Sequence, residues 1–131
     1  AGLAFSNSSV ALVHGMSRPI GAFYHVPHGL SNAMLLPTVT NFSIPYAKSR
    51  YAKCAKAMGV AHNNDDTDVA NEKLVSALYQ LNKDLEVPSL QNFGVNKDFY
   101  RPYQQLYRSQ YPLTQLLIFS RMIIIQPYPN F

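Results

Sequence analysis

An all-α fold is the expectation for this 131-residue sequence. Three observations carry it. Apolar residues recur at three- and four-residue spacing through 10–22, 44–58 and 67–85, the period of helices with one buried face. Residues able to cap a helix N-terminus precede each stretch. No run alternates with period two before Leu113.

The elements follow in order. Asn7-Ser8-Ser9 supplies N-caps ahead of Val10, and Val10, Val13, Ser17, Ile20 and Gly21 predict a helix over 10–22. Pro19 lacks an N–H and is expected to kink that helix or end its first half. Tyr24 to Gly29 reads as a break, with Pro27 favouring an extended, His-flanked connector. Leu30 to Thr40 reads as a buried helix bent at Pro37, or as two short ones. Ser43 is placed as the cap of Ile44–Met58, with Ala47, Tyr51, Cys54, Ala55 and Met58 inward and Gly59 at the C-terminal stop. A polar loop, His62 to Asp66, leads to the clearest helix, capped by Thr67 or Asp68. Its inner stripe is Ala70, Leu74, Ala77, Leu78, Leu81 and Leu85.

Composition narrows the function classes. A chain this long can bury about two-thirds of its unfolded surface, so it can hold one core without staples. Eleven basic against seven acidic residues give +4, and most basic residues lie singly, which argues against a nucleic-acid surface. No stretch reaches the ~18 apolar residues of a membrane span. A single cysteine excludes a disulfide scaffold and fits a reducing compartment, so a cytoplasmic location is expected. The start carries neither a charged signal-peptide n-region nor an initiator Met, and an incomplete chain is expected.

Charge is unevenly placed. All seven acids fall between Asp65 and Asp98, while three of the four histidines, His14, His25 and His28, lie in the acid-free first half. A divalent ion needs three or four protein ligands, and this half offers His14 and His28 with no carboxylate near them in sequence. By spacing alone the two read as partly buried imidazoles bonded to backbone carbonyls. His25 reads as a cleft or surface histidine, His62 as a solvated one, and Cys54 as a packed thiol. No Gly-rich phosphate loop and no nucleophile elbow is present.

Three segments change that reading. The run Ala1-Gly2-Leu3-Ala4-Phe5-Ser6-Asn7 is followed by Val13-His14-Gly15-Met16-Ser17-Arg18-Pro19-Ile20-Gly21-Ala22. Then comes Pro27-His28-Gly29-Leu30-Ser31-Asn32-Ala33-Met34-Leu35-Leu36-Pro37. Together they strongly resemble the iron-containing (group III) alcohol dehydrogenase family, and Pro88-Ser89-Leu90 with Phe93-Gly94-Val95 resembles a further segment of it. The resemblance covers the chain to about Asp98 and implies the helical C-terminal domain of a dehydroquinate synthase-like fold. That family has an N-terminal α/β domain for NAD or NADP and a cleft metal, Fe²⁺ or sometimes Zn²⁺, held by one Asp and three His. Two of those ligands match His14 and His28; the other two would precede Ala1.

The implied activity is metal-assisted hydride transfer between a small alcohol and an aldehyde or ketone. Many relatives carry a His where this chain has Arg18. Arg18, whose guanidinium suits a carboxylate, and His25 are therefore the candidate catalytic residues of the cleft. No nucleic-acid or membrane partner is expected, and a homo-oligomer is expected at full length. Two alternatives stay open: an inactive truncated helical remnant, and a related hydroxyacid–oxoacid transhydrogenase or glycerol dehydrogenase. Residues 1–98 are taken as the metal-binding part. Residues 99–131 hold eight of the sixteen aromatics and end in an apolar, β-branched run, so they are expected to be an atypical, frame-shifted tail.

Overall fold

The computed structural model describes Leu3 and residues 12–95, and over those residues the chain is helical, as expected. Three helices follow one another: α1, Leu12–Tyr24; α2, His28–Ala57; and α3, Thr67–Asp84. The caps proposed at Asn7-Ser8-Ser9 and the whole tail from Phe99 lie outside the described residues.

Helix α1 runs through Pro19 without ending. Met16, Ser17, Pro19 and Ile20 form its buried face, so tertiary packing holds the proline inside the helix. Three residues, His25 to Pro27, then reverse the chain. Gly21 permits the close approach, because a Cβ there would meet the Val26 carbonyl oxygen at 3.3 Å.

Helix α2 differs from the expected pair of helices. It begins at His28 and continues past Ser43, which caps nothing, and its break falls at Ala47 (φ −152°, ψ 37°). Pro45, which cannot bond the carbonyl four residues back, lies two residues before that break. The break rotates the second half of α2. Ala52 and Ala55 turn inward, whereas Cys54 and Met58 are exposed, so Cys54 is not the packed thiol expected. The expected stripe was drawn through Ala47 as if the helix were straight.

Pro37 lies fully buried in the first half of α2. Its missing N–H leaves the Ala33 carbonyl without its helical donor. Asn82 of α3, 5% exposed, fills that gap by donating from Nδ2 to Ala33 O at 2.8 Å. Asn71, also buried, donates to Lys48 O beside the Ala47 break at 3.2 Å. Two asparagines of α3 therefore bond the backbone of α2 close to its two irregularities.

Helix α3 is capped one residue earlier than expected: Asp66 accepts from the Val69 N–H at 2.9 Å. Ala70, Leu74 and Leu78 are buried as expected, but Leu81 and Leu85 are exposed. Their helical period is right. The last buried residue of α3 is Asn82, and nothing among the described residues covers the final turn.

Two apolar clusters result. Met16, Ile20, Val26, Met34, Leu35, Val39 and Val95 join α1 to the front of α2, with Val87 and Leu90 packed against them. Ala52, Ala55, Ala61, Ala70, Leu74 and Leu78 join the back of α2 to α3. The front cluster braces the corner at which the histidines stand.

Candidate functional site

His14 lies half-buried on the first described turn of α1, and His28 opens α2 across the reversal. The corner brings their rings together, with centroids 5.3 Å apart and planes tilted by 50°. Two imidazoles bound to one tetrahedral ion at about 2.0–2.1 Å place their centroids about 5 Å apart, so the pair has the spacing of a shared ion. Among the described residues, no group of three His, Cys, Asp or Glu gathers at one point.

The surrounding polar groups are equally specific. Ser17, fully buried, donates from Oγ to the His14 carbonyl at 3.2 Å and lies 3.5 Å from His28 Nδ1. Asn32, one turn into α2, places Nδ2 3.1 Å from His28 Nε2. Its Oδ1 is buried without a partner. Ser31, also fully buried, donates to the His28 carbonyl at 3.0 Å.

The other candidates separate. Arg18 is exposed one turn beyond His14 on α1 and pairs with no acid among the described residues. His25 is exposed and holds a left-handed backbone (φ 55°), a conformation uncommon for a residue with a side chain. It stands in the reversal three residues before His28, outside the ring pair. His62 is far from the pair in the α2–α3 loop, where its N–H bonds Asp65 Oδ2 at 2.7 Å.

Sequence reasoning missed Ser17, Ser31 and Asn32. A signal existed: His-Gly-apolar-Ser occurs twice, at 14–17 and 28–31. Each serine is three residues after a histidine, one helical turn on, where its hydroxyl can reach back to the histidine carbonyl.

The family model described as "Fe-containing alcohol dehydrogenase family, C-terminal" matches residues 1–108, a span that includes both histidines and their serines. The chain belongs to the Fe-containing alcohol dehydrogenase family. Within this family it is similar to lactaldehyde reductase of Escherichia coli, 40% identical over 99 residues, 75% of this chain and 26% of that protein. It is also similar to NADPH-dependent butanol dehydrogenase of Clostridium saccharobutylicum, 35% identical over 102 residues, 77% of this chain and 26% of that protein. A crystal structure of 1,3-propanediol oxidoreductase superposes with a TM-score of 0.78 at 26% identity, covering 92% of this chain and 35% of that one. The chain thus spans about a quarter of the length of the curated alcohol dehydrogenase relatives it matches.

Proposed function

We propose that this chain is the metal-holding C-terminal part of an NAD(P)-dependent oxidoreductase that moves hydride between a small alcohol and the corresponding aldehyde or ketone. The observation that carries the proposal is the His14–His28 ring pair at 5.3 Å, within a stretch that matches the family. In this reading His14 and His28 hold Fe²⁺ or Zn²⁺ together with ligands outside this chain. The ion, when bound, supplies Lewis-acid polarisation of the substrate oxygen.

The chain's own residues do the rest of their part by position. Neutral imidazoles at 14 and 28 offer lone pairs without adding charge. Arg18, one turn beyond His14, orients an anionic group of the substrate or a cofactor phosphate with its planar fork of donors. His25 lines the same cleft and offers a second polar contact at its rim. NAD or NADP binds mainly to residues outside this chain. The full protein works as a cytoplasmic homo-oligomer, without nucleic acid. Among the described residues, no helix is long and apolar enough to cross a membrane.

The alternative is a helical module that only packs against partners. The experiment separates the two. The gene's full reading frame is expressed, and bound metal is counted in wild type, His14→Ala and His28→Ala. Stoichiometric metal with turnover in the wild type, and loss of both in each variant, is expected. Variants that keep metal and turnover sink the proposed ligand pair. A wild type without either leaves the packing module.

A further inference from the structure

Ser17 stands between the two imidazoles. Its single hydroxyl proton is directed to the His14 carbonyl, at 3.2 Å. In that arrangement it turns a lone pair toward His28 Nδ1, 3.5 Å away, and a lone pair there calls for a proton on Nδ1. On the other side of the ring the Asn32 amide donates to Nε2 at 3.1 Å, which calls for a bare Nε2. With the Ser17 proton on the His14 carbonyl and the Asn32 amide nitrogen toward the ring, two neighbours on different helices fit the same tautomer.

We propose that Ser17 is a positioning residue for the histidine pair: by accepting from His28 Nδ1–H while donating to the His14 carbonyl, it presents His28 Nε2 as the ligating nitrogen. The proposal rests on the reading of His14 and His28 as ligands of one ion. A ligating imidazole whose other nitrogen has a fixed acceptor is held in tautomer and orientation, and loss of such an acceptor typically weakens metal binding. Ser17 also couples the two ligands, because one hydroxyl touches the backbone of the first and the ring of the second. Asn32 Nδ2 occupies the lone pair that an ion would take, so ion binding displaces that bond.

The sequence contains its own control. Ser31 is as deeply buried as Ser17 and bonds the carbonyl three residues back in the same way, at 3.0 Å, but touches no ring nitrogen. Replacing either serine by alanine removes one buried hydroxyl and one carbonyl bond. Only Ser17 carries the ring contact.

The test is nitrogen-15 NMR of the full chain, labelled at histidine, in alkaline buffer. Long-range proton–nitrogen correlations distinguish Nδ1–H from Nε2–H. Wild-type His28 is expected in the Nδ1–H form. Ser17→Ala should lose that preference and Ser31→Ala should keep it, with matching circular dichroism for both. In a Zn²⁺ titration of the same samples, Ser17→Ala should bind roughly ten- to a hundredfold more weakly than Ser31→Ala. An Nε2–H form in the wild type overturns the proposal, as does an equal tautomer shift in both variants. If only Ser17→Ala shifts the tautomer but zinc moves neither His14 nor His28 signals, the shared-ion reading falls while Ser17's hold on the ring stands.

Discussion

The corner between α1 and α2 and the pairing of α2 with α3 are built from similar helices but leave different things unsettled. The α2–α3 half is packed with alanines, Ala52, Ala55, Ala61 and Ala70, which let the helices approach closely. Three of its six cations have named partners: Lys48 pairs with Asp68 at 2.8 Å, Lys73 with Asp65 at 2.7 Å, and Lys56 bonds the carbonyls of Asn63 and Asp65. The α1–α2 corner uses larger side chains and has no acid. It carries an exposed Arg18, two facing imidazoles and a left-handed His25. The α2–α3 half pairs several of its charges locally, although Asn71 Oδ1 is buried without a partner. The other has no acid to pair with and is held by its buried side chains and by the bonds from Ser17 and Ser31 to the His14 and His28 carbonyls.

The largest test of that contrast is a pair of core truncations. Ile20 is 0% exposed and Leu74 is 3% exposed. Each change to alanine should cost about 2–5 kcal/mol in urea unfolding. Only Ile20→Ala should also disturb the His14 and His28 signals under folding conditions. If Leu74→Ala moves those signals as far, the two halves are one unit.

Next in size is the bond between the halves. Asn82→Ala leaves the Ala33 carbonyl without a donor and should cost about 1–3 kcal/mol. Asn82→Asp should be at least as damaging, since a carboxylate cannot donate. Unfolding curves unchanged by either substitution would mean that Pro37 needs no help from α3.

A smaller effect separates two helix ends of the same design. After α2, Gly59 N–H bonds Lys56 O and Val60 N–H bonds Ala55 O; after α3, Glu86 bonds Lys83 O and Val87 bonds Asn82 O. Both turns need a left-handed residue, yet the first has glycine (φ 74°) and the second glutamate (φ 52°). Gly59→Ala should cost about 1 kcal/mol, and Glu86→Gly should raise the melting temperature by relieving a strain of similar size. Opposite signs in thermal melts confirm the comparison; equal signs break it.

The smallest effect is one of pH. The hydrogen bond from Lys73 beside Asp65, aided by the His62 N–H, lowers that carboxyl below its ordinary value. A carboxyl lowered on folding stabilises above its unfolded pKa and loses that contribution as pH falls through the folded one. Asp65→Asn should therefore melt below wild type at neutral pH, and the gap should close in acid. A gap that persists at low pH would assign the loss to the bonds alone.

Much was legible without coordinates. The all-α architecture followed from local period, the stop at Gly59 from backbone freedom, and the family from a run of matching residues around His14 and His28. Cap positions slipped by a residue, Thr67 or Asp68 for Asp66, because several adjacent polar side chains could each serve. Ser17 and Asn32 escaped notice because their importance is not a matter of type: a serine in a helix is ordinary until its neighbour across the turn is known.

What the sequence by itself determined is therefore local: which stretches are helical, where glycine ends one, and which runs of residues mark the family. The tertiary structure alone decided the rest. It exposed Cys54 and Leu81, sent Asn82 to the carbonyl freed by Pro37, and set Ser17 against His28. The reason is distance along the chain. Asn82 and Ala33 are 49 residues apart and Ser17 and His28 are 11 apart, so no helical period links them and only the packing of three helices makes them neighbours.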